Sequence, residues 1–417
     1  MKTIRLSAIA LLAMVLLAPA PAEARPWAVR ELATQGPAFS RGVDVLPTGR
    51  AAVLLQRGGG ASSRLELRVG GRTRLLDTCA HPFLSTEVQH DSRGRLVVVW
   101  RRVIGGTTQV FVWTAKGGRQ QVSAVRKGVS HVSLSVAASG RSALVYWSPE
   151  GIFVARGAAG HGFSAATAVA PAGTFEAQPG VGVASGGRLV VAWSDGRRIL
   201  ARAANGPGPL GSVQPVALRA PSAGSTLVAG APKVVMTTGS RAVVAVSSSE
   251  LRGGQPASVA DRRVEAFEWP LAAAHPSAAA TFSRSAAAGD ADLIAQGASA
   301  LIAWTERPQG AARALWVIRW TPKGLQRPNL YDTRDLRLPV LLTVAPKGAV
   351  DVFYMAGGQR WFTVRLGATG LYGGTATVTP PGEKVPLIDV AAEGSRAIAG
   401  WTVGKRSVRV QVARPTA

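Results

Sequence analysis

Arg188-Leu-Val-Val-Ala-Trp193 sits between two turns, Ser185-Gly-Gly187 and Ser194-Asp-Gly196. From Leu189 onward it is apolar at every position, the pattern of a strand covered on both faces rather than one. The stretch recurs as Arg95-Leu-Val-Val-Val-Trp100, Ser142-Ala-Leu-Val-Tyr-Trp147, Ser299-Ala-Leu-Ile-Ala-Trp304 and Arg396-Ala-Ile-Ala-Gly-Trp401. Arg50-Ala-Ala-Val-Leu-Leu55, Arg241-Ala-Val-Val-Ala-Val246 and Ala349-Val-Asp-Val-Phe-Tyr354 fill the gaps, with another apolar residue in place of tryptophan. Successive ends lie 45 to 58 residues apart, a spacing that fits one four-stranded propeller blade per repeat.

Four strands can be read within one period. In the fourth repeat they are expected at 178–184, 188–193, 197–203 and 211–218. The sequence therefore predicts an all-β fold, a β-propeller of four-stranded blades, with eight blades preferred and seven as the alternative because the fifth repeat is the most diverged. The last repeat stops after its third strand near Arg414, and Pro26-Trp-Ala-Val-Arg-Glu-Leu-Ala33 precedes the first repeat's own opening strand. Pairing the two ends would complete the last blade and leave no open edge, so an N-terminal strand is expected to close the ring.

Composition agrees with this class. With 47% hydrophobic and 17% charged residues, the 417-residue chain is neither a disordered polyelectrolyte nor a multi-span membrane protein. Its 48 glycines and 26 prolines disfavour a helical fold. Lys2 and Arg5, the apolar run from Leu6 to Ala18 and the triplet Ala22-Glu-Ala24 have the three regions of a secretory signal peptide. Residues 1–24 are expected to be removed and 25–417 to form a single propeller domain, secreted or held in the periplasm or cell envelope, with no transmembrane segment left after cleavage. The lone cysteine, Cys79, excludes an intramolecular disulfide, so a hydrophobic core must supply the stability.

The repeat resembles the secreted bacterial β-propellers that share an apolar strand ending in tryptophan after a glycine turn, and more distantly the sialidase-like propellers. The resemblance covers residues 26–414. The sialidase Asp box, Ser-x-Asp-x-Gly-x-x-Trp, is absent, Trp193-Ser-Asp-Gly196 having the wrong spacing, and no sialidase catalytic set is present. What the resemblance implies is the fold, not an activity.

The formal charge of +25 favours polyanionic partners, although an arginine-rich composition produces the same balance without selection for binding. The basic residues are scattered singly, so no specific nucleic-acid recognition is expected. Identical placement of the tryptophans in successive repeats marks them as packing residues rather than sugar platforms. In a propeller the loops between blades and those joining second to third strands gather on one face around the central channel. By that geometry the candidate ligand-binding residues are Glu87, His131, Glu176, Asp290, Asp292, Asp332, Arg334, Asp335 and Arg337. Asp195, Glu250, Asp261, Glu306 and Glu383 lie in the same group of loops. Asp290-Ala-Asp292 would bring two carboxylates to one side of a strand roughly 6 to 7 Å apart, a separation within the range of an inverting glycosidase pair.

No catalytic, metal or cofactor motif is recognisable. The leading expectation is an exported, monomeric, non-catalytic propeller that binds an anionic envelope polymer, a polysaccharide or another protein through its channel face. The alternative is a carbohydrate-active enzyme, a glycoside hydrolase or lyase, that uses carboxylates and arginines on that face.

Overall fold

The computed structural model describes residues 27–415 except 34–36, 60–61, 125–127, 174–177, 239–240, 253–257, 271, 284–287, 308–312, 327–328, 333–335, 346–348, 357–358, 368–371, 394–395 and 404–408. All regular elements among them are β-strands, arranged in eight antiparallel sheets that follow one another along the chain. In the fourth sheet the strands are Gly180–Val183, Leu189–Ser194, Ile199–Ala204 and Gln214–Val216, in that spatial order. The repeat had placed them within a few residues. Among the described residues no helix is long and apolar enough to cross a membrane.

The first strands of the sheets form the inner circle. Ala38–Val45, Leu84–His90, His131–Val136, Gly180–Val183, Lys233–Met236, Asp292–Gln296, Leu336–Val344 and Asp389–Glu393 each touch the next, and the last touches the first. A closed circle of radial four-stranded sheets around a channel is a β-propeller. Close approach within the circle has a local cause between the fourth and fifth sheets, where a Cβ at Gly180 would overlap the Pro232 carbonyl oxygen. The divergence of the fifth repeat also has a visible source. Its two middle strands, Arg241–Arg252 and Ser258–Pro270, form an extended hairpin, and both Ser225–Ala229 and Lys233–Met236 pair with the first of them.

Closure follows the expected route. Trp27–Ala33 pairs antiparallel with Arg409–Pro415, Trp27 opposite Pro415 and Val29 opposite Ala413, and so adds a fourth strand to the sheet built from the C-terminal residues. The seam is also pinned by side chains. Arg396 Nη1 donates to Thr48 O at 2.7 Å, Ser40 N donates to Thr402 Oγ1 at 2.9 Å, and the Trp27 ring meets Phe353 edge-on at 5.5 Å.

The core lies in the gaps between neighbouring sheets. In the second sheet Leu96, Val98 and Trp100 pack against the first sheet, whereas Val97 and Val99 pack against the third. This is why the second strand is apolar on both faces. Trp193, Trp304 and Trp401 likewise fill the gap to the preceding sheet. Trp147 does not. In the third sheet the buried ring facing the preceding sheet belongs to Tyr146, and Trp147 points the other way, half-exposed and stacked on His131 at 5.7 Å. The repeat is therefore in register when Tyr146 is matched with Trp100, since both rings face the preceding sheet. Aligning on the tryptophan slips the strand by one residue and assigns its side chains to the wrong face.

Two outcomes check this account. Deleting residues 27–33 exposes the edge of Arg409–Pro415, and the truncated protein should melt at lower temperature and aggregate, measured by calorimetry and light scattering. Trp193→Ala should cost about 3 to 5 kcal/mol in denaturant unfolding, whereas the half-exposed Trp147→Ala should cost much less.

Candidate functional site

Antiparallel alternation places the turns between second and third strands, and the connections between sheets, on one face of the ring. The turns between first and second strands open on the other. We call these the upper and lower faces.

The lumen runs between them, and its wall is made of strand edges whose outward N–H groups need acceptors. Neighbouring sheets supply them. Glu87 accepts from Leu134 N at 3.1 Å, Gln89 from Val136 N at 3.0 Å, Ser135 Oγ from Val183 N at 3.1 Å, and Asp292 from Leu342 N at 2.7 Å. Asp292 also pairs with Lys233 Nζ at 2.6 Å, and Asp389 accepts from Ser40 Oγ at 3.1 Å. Glu87, Asp292 and Asp389 line one lumen cavity of about 260 Å³. Loss of hydration pushes the Glu87 carboxyl up to about 7, against the opposing hydrogen bond from Leu134, and raises that of Asp389. A larger lumen cavity, about 810 Å³, opens towards the lower face, with His90, Asp91 and Glu393 in its wall. Burial would lower the His90 pKa, but the hydrogen bond and charge of Asp44, with Glu393 and Asp91 nearby, raise it on balance. In a chain with this excess of cations the lumen cavities carry carboxylates, and among the described residues neither has an arginine or lysine in its wall.

The cationic surface lies to the side. On the upper face, between the fourth and fifth sheets, a cleft of about 470 Å³ is lined by Arg197, Arg198 and Arg219, by Ser225 and Thr226, and by apolar residues including Leu218 and Pro221, with no carboxylate in its wall among the described residues. The arginines come from a second-to-third-strand turn and a sheet-to-sheet connection. Asp195 organises that turn, accepting from the N–H groups of Arg197 and Arg198 and from Arg198 Nε at 2.7 Å. Burial would raise the Asp195 pKa, but these bonds lower it overall. Arg219 is fixed from behind: it pairs with buried Glu250 and with Asp261, and its backbone N donates to Glu265 at 2.8 Å. Arg197 is exposed, and its guanidinium has no partner among the described residues.

The residues expected from sequence are dispersed around the ring. Glu87 and Asp292 meet in the lumen. Asp290 precedes the strand Asp292–Gln296 and is paired with Arg262 at the exposed rim, so the two aspartates do not occupy alternate positions of one strand. His131 stacks on Trp147, and burial, followed by the charge of Arg101, lowers its pKa. The backbones of Asp332 and Arg337 are placed in strands, but their side chains, with all of Glu176, Arg334 and Asp335, lie outside the described residues. Two other carboxylates hold buried indoles: Glu306, expected in a loop but the last residue of the strand Ser299–Glu306, accepts from Trp304 Nε1 at 3.0 Å, and Glu383 accepts from Trp401 Nε1 at 3.3 Å. Arg197, Arg198 and Arg219 escaped the sequence reading. The third strand, expected at 197–203, begins at Ile199, which leaves Arg197 and Arg198 in the second-to-third turn beside Asp195. Among the described residues no group of three or more His, Cys, Asp or Glu side chains is placed to hold a metal ion.

No family model matches the chain, and no curated protein matches it either. Solved structures do. An ulvan lyase of polysaccharide lyase family PL25 aligns with a TM-score of 0.49 at 8% identity, over 91% of this chain and 95% of that one. A prolyl endopeptidase aligns with a TM-score of 0.46 at 11% identity, over 89% of this chain, which spans about half (47%) of that protein's length. The six-bladed β-propeller lectin of Aleuria aurantia aligns with a TM-score of 0.38 at 10% identity, over 71% of this chain and 96% of the lectin.

The raised pKa of Glu87 makes a signed prediction. The folded state holds this proton more tightly than the unfolded chain, so its contribution is fully present below the ordinary carboxylate pKa and is lost as pH rises to about 7. Glu87→Gln keeps an acceptor for Leu134 N and cannot ionise. The variant should match the parent at pH 4 and exceed it by about 1 to 3 kcal/mol at pH 8 in denaturant unfolding.

Proposed function

We propose that this protein is an exported, non-catalytic β-propeller that binds an anionic polymer on its upper face, at the arginine-lined cleft between the fourth and fifth sheets. One observation carries the reading: three arginines line a cavity of about 470 Å³ in whose wall no carboxylate stands among the described residues, and the Arg197 guanidinium is without a partner there. The ligand class follows from that wall. Guanidinium groups offer paired donors to carboxylate, sulfate or phosphate oxygens, the hydroxyls of Ser225 and Thr226 suit a polar backbone, and the field of a +25 chain draws polyanions towards it.

A second reading, a glycoside hydrolase or lyase, draws on the narrow lumen. There Glu87, raised to about 7, shares a cavity with Asp292, which is paired with Lys233. A carboxyl group that holds its proton to near neutral pH, beside a second carboxyl group, is what acid–base chemistry on a glycoside requires.

The two readings separate experimentally. Arg197→Ala should weaken binding of a sulfated or uronic-acid oligosaccharide by about tenfold, the loss of one charge-assisted contact, with the melting temperature unchanged, in titration calorimetry at physiological salt. Glu87→Gln should leave that affinity intact. Turnover of the same oligosaccharides by the parent protein, abolished by Glu87→Gln, would instead establish the enzyme.

A further inference from the structure

A second cleft with the same chemistry opens on the lower face, between the third and fourth sheets. Its volume is about 240 Å³; Arg141, Arg156 and His161 line it, with glycine and apolar residues between them and, among the described residues, no carboxylate. Arg141 begins the strand Arg141–Ser148 and is exposed, and its guanidinium has no partner among the described residues. Arg156 is held in place from across the cleft, its Nη1 donating to Gly206 O at 3.1 Å and Gly208 O at 2.7 Å. One guanidinium is thus anchored and another is free beside it, as Arg219 and Arg197 are on the upper face.

Both clefts border the fourth sheet. The strand Leu189–Ser194 begins beside the lower cleft, where Leu189 is part of the wall, and ends at the turn that carries Arg197 and Arg198. Six residues of strand separate the clefts by roughly 20 Å, with the body of the sheet between them. One short oligosaccharide cannot lie in both.

We infer that the lower cleft is a second anion-binding site, that its ligand is a sulfate- or carboxylate-bearing sugar residue, and that the propeller is thereby bivalent and bridges two polyanionic chains. The bivalence rests on the upper-cleft reading, whereas the lower site does not. A polysaccharide is favoured over a nucleic acid because, among the described residues, neither cleft has a Phe, Tyr or Trp ring in its wall on which a base would stack.

The test uses the full-length protein at physiological salt, a size-defined sulfated hexasaccharide, and sulfated dextran. Arg141 and Arg197 have no partners to lose, so Arg141→Ala and Arg197→Ala should melt like the parent. Calorimetry should resolve two hexasaccharide sites per parent chain, one of them weakened about tenfold in each single variant and both in the double variant. Turbidity on mixing with sulfated dextran, which needs two sites per protein, should fall in either single variant. A parent that binds one hexasaccharide, weakened by Arg197→Ala and untouched by Arg141→Ala, would overturn the second site and leave the upper cleft standing. Binding weakened by Arg141→Ala but not by Arg197→Ala would do the reverse. Equal losses from Arg30→Ala, an exposed arginine outside both clefts, would reduce both sites to bulk charge. A single-stranded DNA oligomer bound with the same Arg141-dependent affinity would overturn the sugar assignment.

Discussion

Every sheet in this molecule is apolar on both faces, and that constraint organises the rest. A sheet with two apolar faces must be covered twice, and eight of them in sequence satisfy one another only if the last also meets the first. The pairing of Trp27–Ala33 with Arg409–Pro415 therefore does more than protect one edge. It holds the C-terminal sheet against the first, where Val43, Leu55 and Ile398 share a core, and the other gaps are held under that closure. Arg396, reaching from one end of the chain to the Thr48 carbonyl near the other, reinforces the same seam.

A closed ring creates a second requirement at its centre. Each innermost strand turns an unpaired edge towards the channel, and those N–H groups take side-chain acceptors from the adjacent sheet. Buried indoles make a similar demand further out, met by Asp77 for Trp100, Glu306 for Trp304 and Glu383 for Trp401. A chain with 23 acidic residues commits many of them in this way. Carboxylates thus collect in the lumen and the inter-sheet gaps, and guanidinium groups remain at the clefts of the ring. The separation of charge that the proposed binding uses is a by-product of satisfying backbone and indole donors.

The fold was legible because its signal is repeated. One apolar strand between glycine turns, met eight times, defines the sheet, and the missing fourth strand at the C-terminus points to residues 27–33. The errors of reading were local. Trp147 is a tryptophan at nearly the right place, yet Tyr146 holds the packing position against the preceding sheet, and a one-residue slip reverses a side chain's face. Asp290 and Asp292 are two apart in sequence, but only the second lies in the strand, and each has its own cation.

By itself the sequence determined the strand pattern, the repeat, the closing segment and the surplus of positive charge, because these depend on periodicity and counting along one chain. Tertiary structure alone decided where that charge is available. Whether an arginine faces Glu250, a carbonyl or open solvent depends on residues 30 to 50 positions away, brought together when sheets stack around the ring. Arg141, Arg197 and Arg219 look alike in the sequence. They differ in the fold because Arg219 is anchored by a buried carboxylate and the other two face open clefts without a partner among the described residues.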